Sequence, residues 1–266
     1  MIINMKKILL ILAAMLPLVS CSVLQNMNTE RVMQGGAKVV QGLGVTNAQM
    51  QEYVKASVAQ LDAEATVLPA SNAYSKRLAK LTQGLTEVNG TPLNFKVYQE
   101  KEINAFACAD GSVRVYTGIM DTMSDYELLG VIGHEIGHVA LEHTMNAYKY
   151  ALYTSAAFDV VASTGNMAAA LTDSVLGQLG QSMITARYSR KQETAADDFG
   201  YDFLKGAGLN PWYMALAFEK LQSVSEGGAG AVAGSVTEMF SSHPNTESRI
   251  QRVAEKAAKD GFARPE

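Results

Sequence analysis

The stretch His-Glu-Ile-Gly-His at residues 134–138 decides how this sequence is interpreted. An α-helix turns once in about 3.6 residues, so His134 and His138 lie on one face and can direct both imidazoles at a single metal ion. Glu135 projects about 100° around the helix from His134, where it can hold a water molecule beside the ion and accept its proton. Two histidines at this spacing, with a glutamate after the first, are typical of the zinc-binding helix of metallopeptidases.

A catalytic zinc site needs a third protein ligand, and Glu193 is the strongest candidate in the sequence. Glu193 and Asp197 are four residues apart, so both carboxylates lie on one face of a predicted helix. The small residues Ala195 and Ala196 would let this helix pack closely against its neighbour. We therefore expect Glu193 to bind the zinc and Asp197 to accept the outer ring N–H of His134. The alternative interpretation is an exposed acidic stripe.

Two other residues near the histidine helix are weaker ligand candidates. The helix is expected to continue past His143, which would then lie about 180° from His134 and out of reach of the same ion. His143 also falls one position short of the third histidine of HExxHxxGxxH enzymes, which excludes that class. Glu142 shares the face of His138 but is about 12 Å along the axis from His134, so an acid near the helix end is its simpler interpretation.

The remaining pattern predicts an α+β fold that is mostly helical, with a small β-sheet next to the HExxH helix. The predicted helices are 47–65, 72–85, 125–143, 189–205, one that restarts at 210–211 and a last one that ends near 259. The predicted strands are Asn94–Tyr98, Ile103–Ala107 and Ser112–Tyr116. Residues 151–185, rich in small side chains, are expected to form a helical hairpin; a flexible lid or a surface that leans on a membrane is the alternative.

Composition and charge limit the function classes. The chain has 266 residues, of which 48% are hydrophobic and 18% charged, as in a globular protein with a substantial core. The net charge of −4, without a basic run, gives no electrostatic basis for binding nucleic acid. We expect Cys108 to be buried, because its neighbours are small and apolar; a thiol poised to pair with another chain is the alternative.

The N-terminus is typical of a bacterial lipoprotein signal. Lys6 and Lys7 precede an apolar stretch at 8–18 that is too short to span a bilayer comfortably. Leu-Val-Ser-Cys at 18–21 resembles a lipobox, so Cys21 is expected to carry the lipid after removal of the signal peptide 1–20. Residues 21–45 would be a lipidated tether. Ser22, in the place of an inner-membrane retention aspartate, predicts the periplasmic face of the outer membrane; a generic secretory signal is the alternative.

Several stretches together resemble the gluzincin metallopeptidases related to HtpX and the CAAX prenyl proteases, and within them the periplasmic lipoprotein branch. The matching stretches are Asn104–Ala107, Arg114–Gly118, HEIGHVALEH at 134–143, Ser189–Asp198 and Ser242–Pro244 with Arg249. The resemblance covers roughly residues 45–260. The sequence ends soon after the last predicted helix, which favours the members of this branch that lack a tetratricopeptide domain.

The resemblance implies a zincin peptidase domain over 46–266 with one Zn²⁺ per chain. In this interpretation His134, His138 and Glu193 bind the metal and Glu135 is the general base. His243 and Arg249 are expected to stabilise the developing oxyanion, although His243 can instead occupy the open metal position at rest. The substrate is expected to pair with an edge strand that contains Asn104, Ala105, Phe106 and Ala107.

The function implied is an endopeptidase that cleaves unfolded or misassembled outer-membrane and periplasmic proteins, bound to the membrane through the lipid on Cys21. Other envelope proteases or the assembly machinery are the expected protein partners, with no nucleic acid. Two alternatives stay open at this point. One is a zinc-stabilised chaperone or assembly factor with little proteolytic activity; the other is a structural lipoprotein with an accidental HExxH.

Overall fold

The computed structural model describes residues 46–155, 171–226, 242–243 and 246–265. The predicted signal peptide, the tether and Cys21 lie outside the described residues, as do positions 156–170 of the small-residue segment. No helix within the described ranges has both the length and the apolar character needed to cross a bilayer.

Helices dominate these residues, as predicted. They are α1 (Asn47–Glu64), α2 (Ala73–Leu81), α3 (Thr117–Thr122), α4 (Asp125–Ala140), α5 (His143–Thr154), α6 (Asp173–Ile184), α7 (Arg190–Gly206), α8 (Trp212–Glu226) and α9 (Thr246–Lys259). The helices that carry the motif residues begin at capping boxes, in which a serine side chain and the side chain three residues on satisfy each other's backbone N–H groups. Ser124 and Glu127 cap α4, and Ser189 and Gln192 cap α7.

A three-stranded sheet lies beside α4. A short hairpin of β1 (Glu87–Val88) and β2 (Thr91–Pro92) precedes the strands β3 (Asn94–Tyr98), β4 (Ala105–Ala107) and β5 (Ser112–Tyr116). Their order is β3-β5-β4, with β3 parallel and β4 antiparallel to β5, so β4 is an edge strand. The predictions for β3 and β5 are confirmed, whereas β4 is shorter than predicted and begins at Ala105.

Small residues bring α4 and α7 into close contact. A Cβ atom added to Gly137 would lie 3.0 Å from the Cβ of Phe199 and 3.1 Å from the carbonyl oxygen of Ala196. One added to Gly200 would lie 3.0 Å from the backbone nitrogen of His134. Because side chains would push the two helices apart, glycine at these positions sets the distance between the residues that α4 and α7 direct at each other.

The prediction of one helix from 125 past His143 is wrong. α4 ends at Ala140, Glu142 takes the left-handed conformation with φ 57°, and a new helix starts at His143. A residue with positive φ cannot continue a right-handed helix, so the chain changes direction there. α2 is also shorter than predicted and ends at Leu81, ahead of Gly84 with φ 86°.

Candidate metal centre and active site

Four buried side chains form a cluster that can hold a metal ion. They are His134 and His138 from α4, Glu193 from α7 and His243. One ligand atom from each lies within 4.8 Å of the others, and all four residues are at most 9% exposed. The sequence prediction placed the first three together, and the structure brings them together with His243 as the fourth.

The distances between these atoms fit a tetrahedral zinc. The Nε2 atom of His134 is 3.1 Å from His138 Nε2 and 3.1 Å from His243 Nδ1. Glu193 Oε1 is 2.9 Å from His243 Nδ1 and 3.5 Å from His138 Nε2. Ligands about 2.0–2.1 Å from a zinc ion in tetrahedral geometry are roughly 3.3 Å from one another. The nitrogen and oxygen donor set is also one that zinc prefers.

Burial and mutual interactions prepare the cluster for a cation. Burial holds the pKa of His138 well below its usual value, so the imidazole is neutral and can donate a lone pair. Burial raises the pKa of Glu193, but the charges of His243 and the hydrogen bond from His138 outweigh it, and the net pKa is lowered. Glu193 is therefore a carboxylate and His138 a neutral imidazole, which are the states in which these two side chains bind a metal.

Asp197 and Arg249 contact two members of the cluster, His134 and Glu193. Asp197 Oδ1 lies 3.0 Å from the Nδ1 atom of His134, which is the contact expected for it from the sequence. Arg249 donates to both oxygens of Asp197, from Nη2 at 2.6 Å and Nε at 2.9 Å. Its Nη1 atom is 2.6 Å from Glu193 Oε2, and its guanidinium lies over the ring of Phe218. The structure therefore directs the donors of Arg249 at these two carboxylates, and its expected contribution to stabilising an oxyanion stays a prediction.

Glu135 lies between the cluster and the edge strand. Its side chain is 3% exposed, and its Oε1 atom has no hydrogen-bond partner among the described residues. The nearest ring atom of the cluster, His243 Nε2, is 3.6 Å away. Burial raises the pKa of Glu135, although His243, His134 and a backbone hydrogen bond from Ala107 act in the opposite direction. A buried carboxylate with one free oxygen is suited to accept a proton.

The edge strand presents backbone groups to this side of the molecule. Asn104 and Cys108 bond to β5 through the contacts Tyr116 N to Asn104 O and Cys108 N to Ser112 O. Because pairing alternates along an antiparallel strand, the N–H and C=O groups of Ala105 and Ala107 point away from β5. Among the described residues no further strand pairs with that edge.

The side chains of the expected substrate strand divide between its two faces. Ala105 and Ala107 pack into the core that α4 shares, and their small size lets the helix approach. Phe106 points to the opposite face and packs edge-on against aromatic rings there. Asn104 is 3% exposed, and its Nδ2 atom has no hydrogen-bond partner within the described ranges. The structure therefore leaves one buried amide donor next to this edge.

Two aromatic neighbours of His138 were missed by sequence reasoning. His143 Nδ1 lies 3.1 Å from His138 Nδ1, and the ring of Tyr188 packs on that of His138 with 3.9 Å between centroids. His143 was discarded because the helix was expected to continue, and no local pattern pointed to Tyr188. The weaker ligand candidate Glu142 is exposed at the junction of α4 and α5 and lies outside the cluster.

Comparison with known proteins gives the relatives of this chain. The model of Peptidase family M48 matches residues 69–257. Metalloprotease LoiP of Escherichia coli (strain K12) is 38% identical over 239 residues, which are 90% of this chain and 92% of LoiP. Metalloprotease YcaL of the same organism is 36% identical over 256 residues, 96% of this chain and 98% of YcaL. The putative beta-barrel assembly-enhancing protease of Vibrio cholerae is 28% identical over 197 residues, 71% of this chain and 40% of that protein.

Proposed function

Since the chain belongs to peptidase family M48, whose members are zinc-dependent metalloproteases, we propose that it is an endopeptidase for unfolded or misassembled outer-membrane and periplasmic proteins. The observation that carries the proposal is the position of Glu135. Its buried carboxylate lies between a cluster suited to zinc and the edge of β4, with which no further strand pairs in the part of the chain that the structure describes. A peptide that pairs with that edge would pass the proton acceptor and the metal at the same time.

The chemistry divides between the ion and the chain. A zinc ion held by His134, His138 and Glu193 would act as a Lewis acid that lowers the pKa of water and polarises the scissile carbonyl. Glu135 accepts the proton of the attacking water and passes it to the leaving amine. The raised pKa of the buried Glu135 makes it a stronger base than an exposed carboxylate. Arg249 and Asp197 hold Glu193 and His134 in position.

Recognition of the substrate through main-chain groups supports a broad substrate class. The outward N–H of Ala107 already bonds to Glu135, which leaves the backbone of Ala105 and the carbonyl of Ala107 to pair with a peptide. Pairing of this kind needs an extended chain and selects little among side chains. Unfolded proteins expose extended segments, whereas the backbone of a folded protein is already paired within its sheets and helices.

His243 keeps two roles in the proposal. Its Nδ1 atom takes the fourth corner of the cluster, where water and the substrate carbonyl would bind. Its other nitrogen is directed at Glu135. In the proposal His243 would block the open metal position at rest, and a rotation away from it would place an imidazole donor beside the reacting carbonyl.

The proposed location is the periplasmic face of the outer membrane, with lipid on Cys21. It is supported by the lipobox-like sequence at 18–21 and by similarity to a protein named for beta-barrel assembly, which also suggests assembly-machinery partners. Labelling with a palmitate analogue in an expressing bacterium tests the anchor. The wild type should take up the label and Cys21→Ala should not; label retained by Cys21→Ala would contradict the proposal.

The test of the activity is cleavage of an unfolded outer-membrane protein by the wild type and by Glu135→Gln with zinc present. Loss of the proton acceptor should reduce the rate by at least about 100-fold, since general acid–base catalysis contributes about 10²–10⁴. Zinc content should stay unchanged, because Glu135 is not a proposed ligand. Glu142→Gln is the matched control: it makes the same chemical change at an exposed site and should keep full activity.

Two results of this assay would contradict the proposal. If the wild type and Glu135→Gln are equally inert while both bind the unfolded protein, cleavage is not the function. The alternative of a zinc-stabilised chaperone or assembly factor would then take its place. Equal cleavage by both proteins would show that another group accepts the proton.

A further inference from the structure

The reversal between α4 and α5 brings His143 to the metal centre. On a continuous helix, His143 would lie about 140° around the axis from His138 and would face away from it. Because Glu142 has φ 57°, α5 starts in a new direction at His143. His143 is half-buried as a result, with its Nδ1 atom 3.1 Å from the Nδ1 atom of His138.

The atoms that face the cluster fix where the protons are. His138 directs Nε2 at His134 Nε2, at 3.1 Å, and at Glu193 Oε1, at 3.5 Å. A ring nitrogen that binds a metal carries no proton, so with zinc present the proton of His138 is on Nδ1. That N–H points at His143 Nδ1, which must accept the hydrogen bond. The proton of His143 is then on its own Nε2.

We infer that His143 is a positioning residue that acts through the zinc ligand His138. It accepts the Nδ1–H of His138, just as Asp197 accepts the Nδ1–H of His134. Metal-binding histidines regularly donate their second ring N–H to an acceptor that fixes the tautomer and the direction of the ring. Asp197 Oδ1 is 3.0 Å from His134 Nδ1, and the matching atom for His138 is on His143.

The packing around His138 leaves this task to His143. Tyr188 packs against the face of the His138 ring, with an angle of 31° between the planes. Stacking restrains the plane of the ring but accepts either of two orientations, which are related by a 180° turn about the Cβ–Cγ bond. The hydrogen bond to His143 selects the orientation in which Nδ1 faces His143 and Nε2 faces the zinc site. The two ligands thus have different outer partners, one carboxylate and one imidazole.

The test compares two substitutions at one position by zinc affinity, measured by competition with a chelating dye. His143→Leu removes the acceptor, and His143→Asn keeps an oxygen close to the place of Nδ1. Loss of such an outer partner typically weakens metal binding by about 10–100-fold. We expect His143→Leu to lose affinity by at least about 10-fold, and His143→Asn to stay within about threefold of the wild type. The visible spectrum of the cobalt-substituted proteins should change in the same order.

The result that overturns the inference is equal zinc affinity in the wild type and His143→Leu. An equal loss in both variants would also overturn it, because it would show that the ring is needed for packing. Urea unfolding of the metal-free proteins shows whether either variant is misfolded, and His143→Asn remains informative if His143→Leu does not fold. The inference rests on the zinc site of the proposed function. A wild type that binds no zinc refutes both, whereas one that binds zinc independently of His143 refutes the inference alone.

Discussion

Replacing Gly200 with alanine should destabilise the protein, although alanine is the better helix former. The added Cβ atom would lie 3.0 Å from the backbone nitrogen of His134, 3.1 Å from Met214 Cε and 3.3 Å from the carbonyl carbon of Gly133. Overpacking of this kind costs about 1–3 kcal/mol, and the gain in helix propensity is about 1 kcal/mol. The net expectation is a loss of about 0–2 kcal/mol in the free energy of unfolding.

Gly206→Ala is the matched control, because it lies at the end of the same helix and its added Cβ would meet nothing within 4 Å. This variant should gain the same helix propensity of about 1 kcal/mol without the overpacking, so the two alanine proteins should differ by the overpacking cost of about 1–3 kcal/mol. Urea unfolding of the metal-free proteins measures the difference without a contribution from zinc binding. A Gly200→Ala protein as stable as Gly206→Ala would refute the view that α4 and α7 pack too closely to accept an added Cβ atom.

Three further predictions concern charges and ligands. Burial raises the pKa of Asp62, but hydrogen bonds from Arg114 and Lys96 outweigh it and hold the pKa below its usual value. This stabilisation is present above the unfolded-state pKa of Asp62 and is lost as pH falls through the folded-state pKa. Asp62→Asn should therefore lower the free energy of unfolding at neutral pH and make that free energy less dependent on pH in acid, as measured by urea unfolding. Glu193→Ala should lose zinc in metal analysis, and undiminished zinc would contradict its assignment as a ligand. His243→Ala should keep one zinc per chain, because three proposed ligands remain; loss of the metal would show that His243 is a required ligand.

Local sequence predicted the parts of the structure that depend on neighbouring residues. The capping box of Ser124 and Glu127 marks the start of α4, because both members satisfy backbone groups within one turn. The spacing of Glu193 and Asp197 predicts that both lie on one face of α7, because residues four apart share a face of a helix. In the structure that face meets α4. The alternation in Asn94–Tyr98 predicted the bounds of β3, because successive side chains of a strand point to opposite faces.

The features missed depend on contacts between distant segments. Glu142 is neither glycine nor asparagine, the residues that signal a left-handed position, so the break after α4 left no trace in the sequence. The position of His143 follows from that break. Arg249 was recognised as a site residue, but nothing local shows that its donors are directed at Glu193 and Asp197, which come from a helix more than 50 residues earlier.

The most direct test of the metal centre is anomalous diffraction at the zinc edge from crystals of the zinc-loaded protein. We predict one zinc site per chain, about 2.0–2.2 Å from His134 Nε2, His138 Nε2 and a carboxylate oxygen of Glu193. An anomalous peak held by Glu142, or one that does not contact Glu193, would contradict the proposed metal centre.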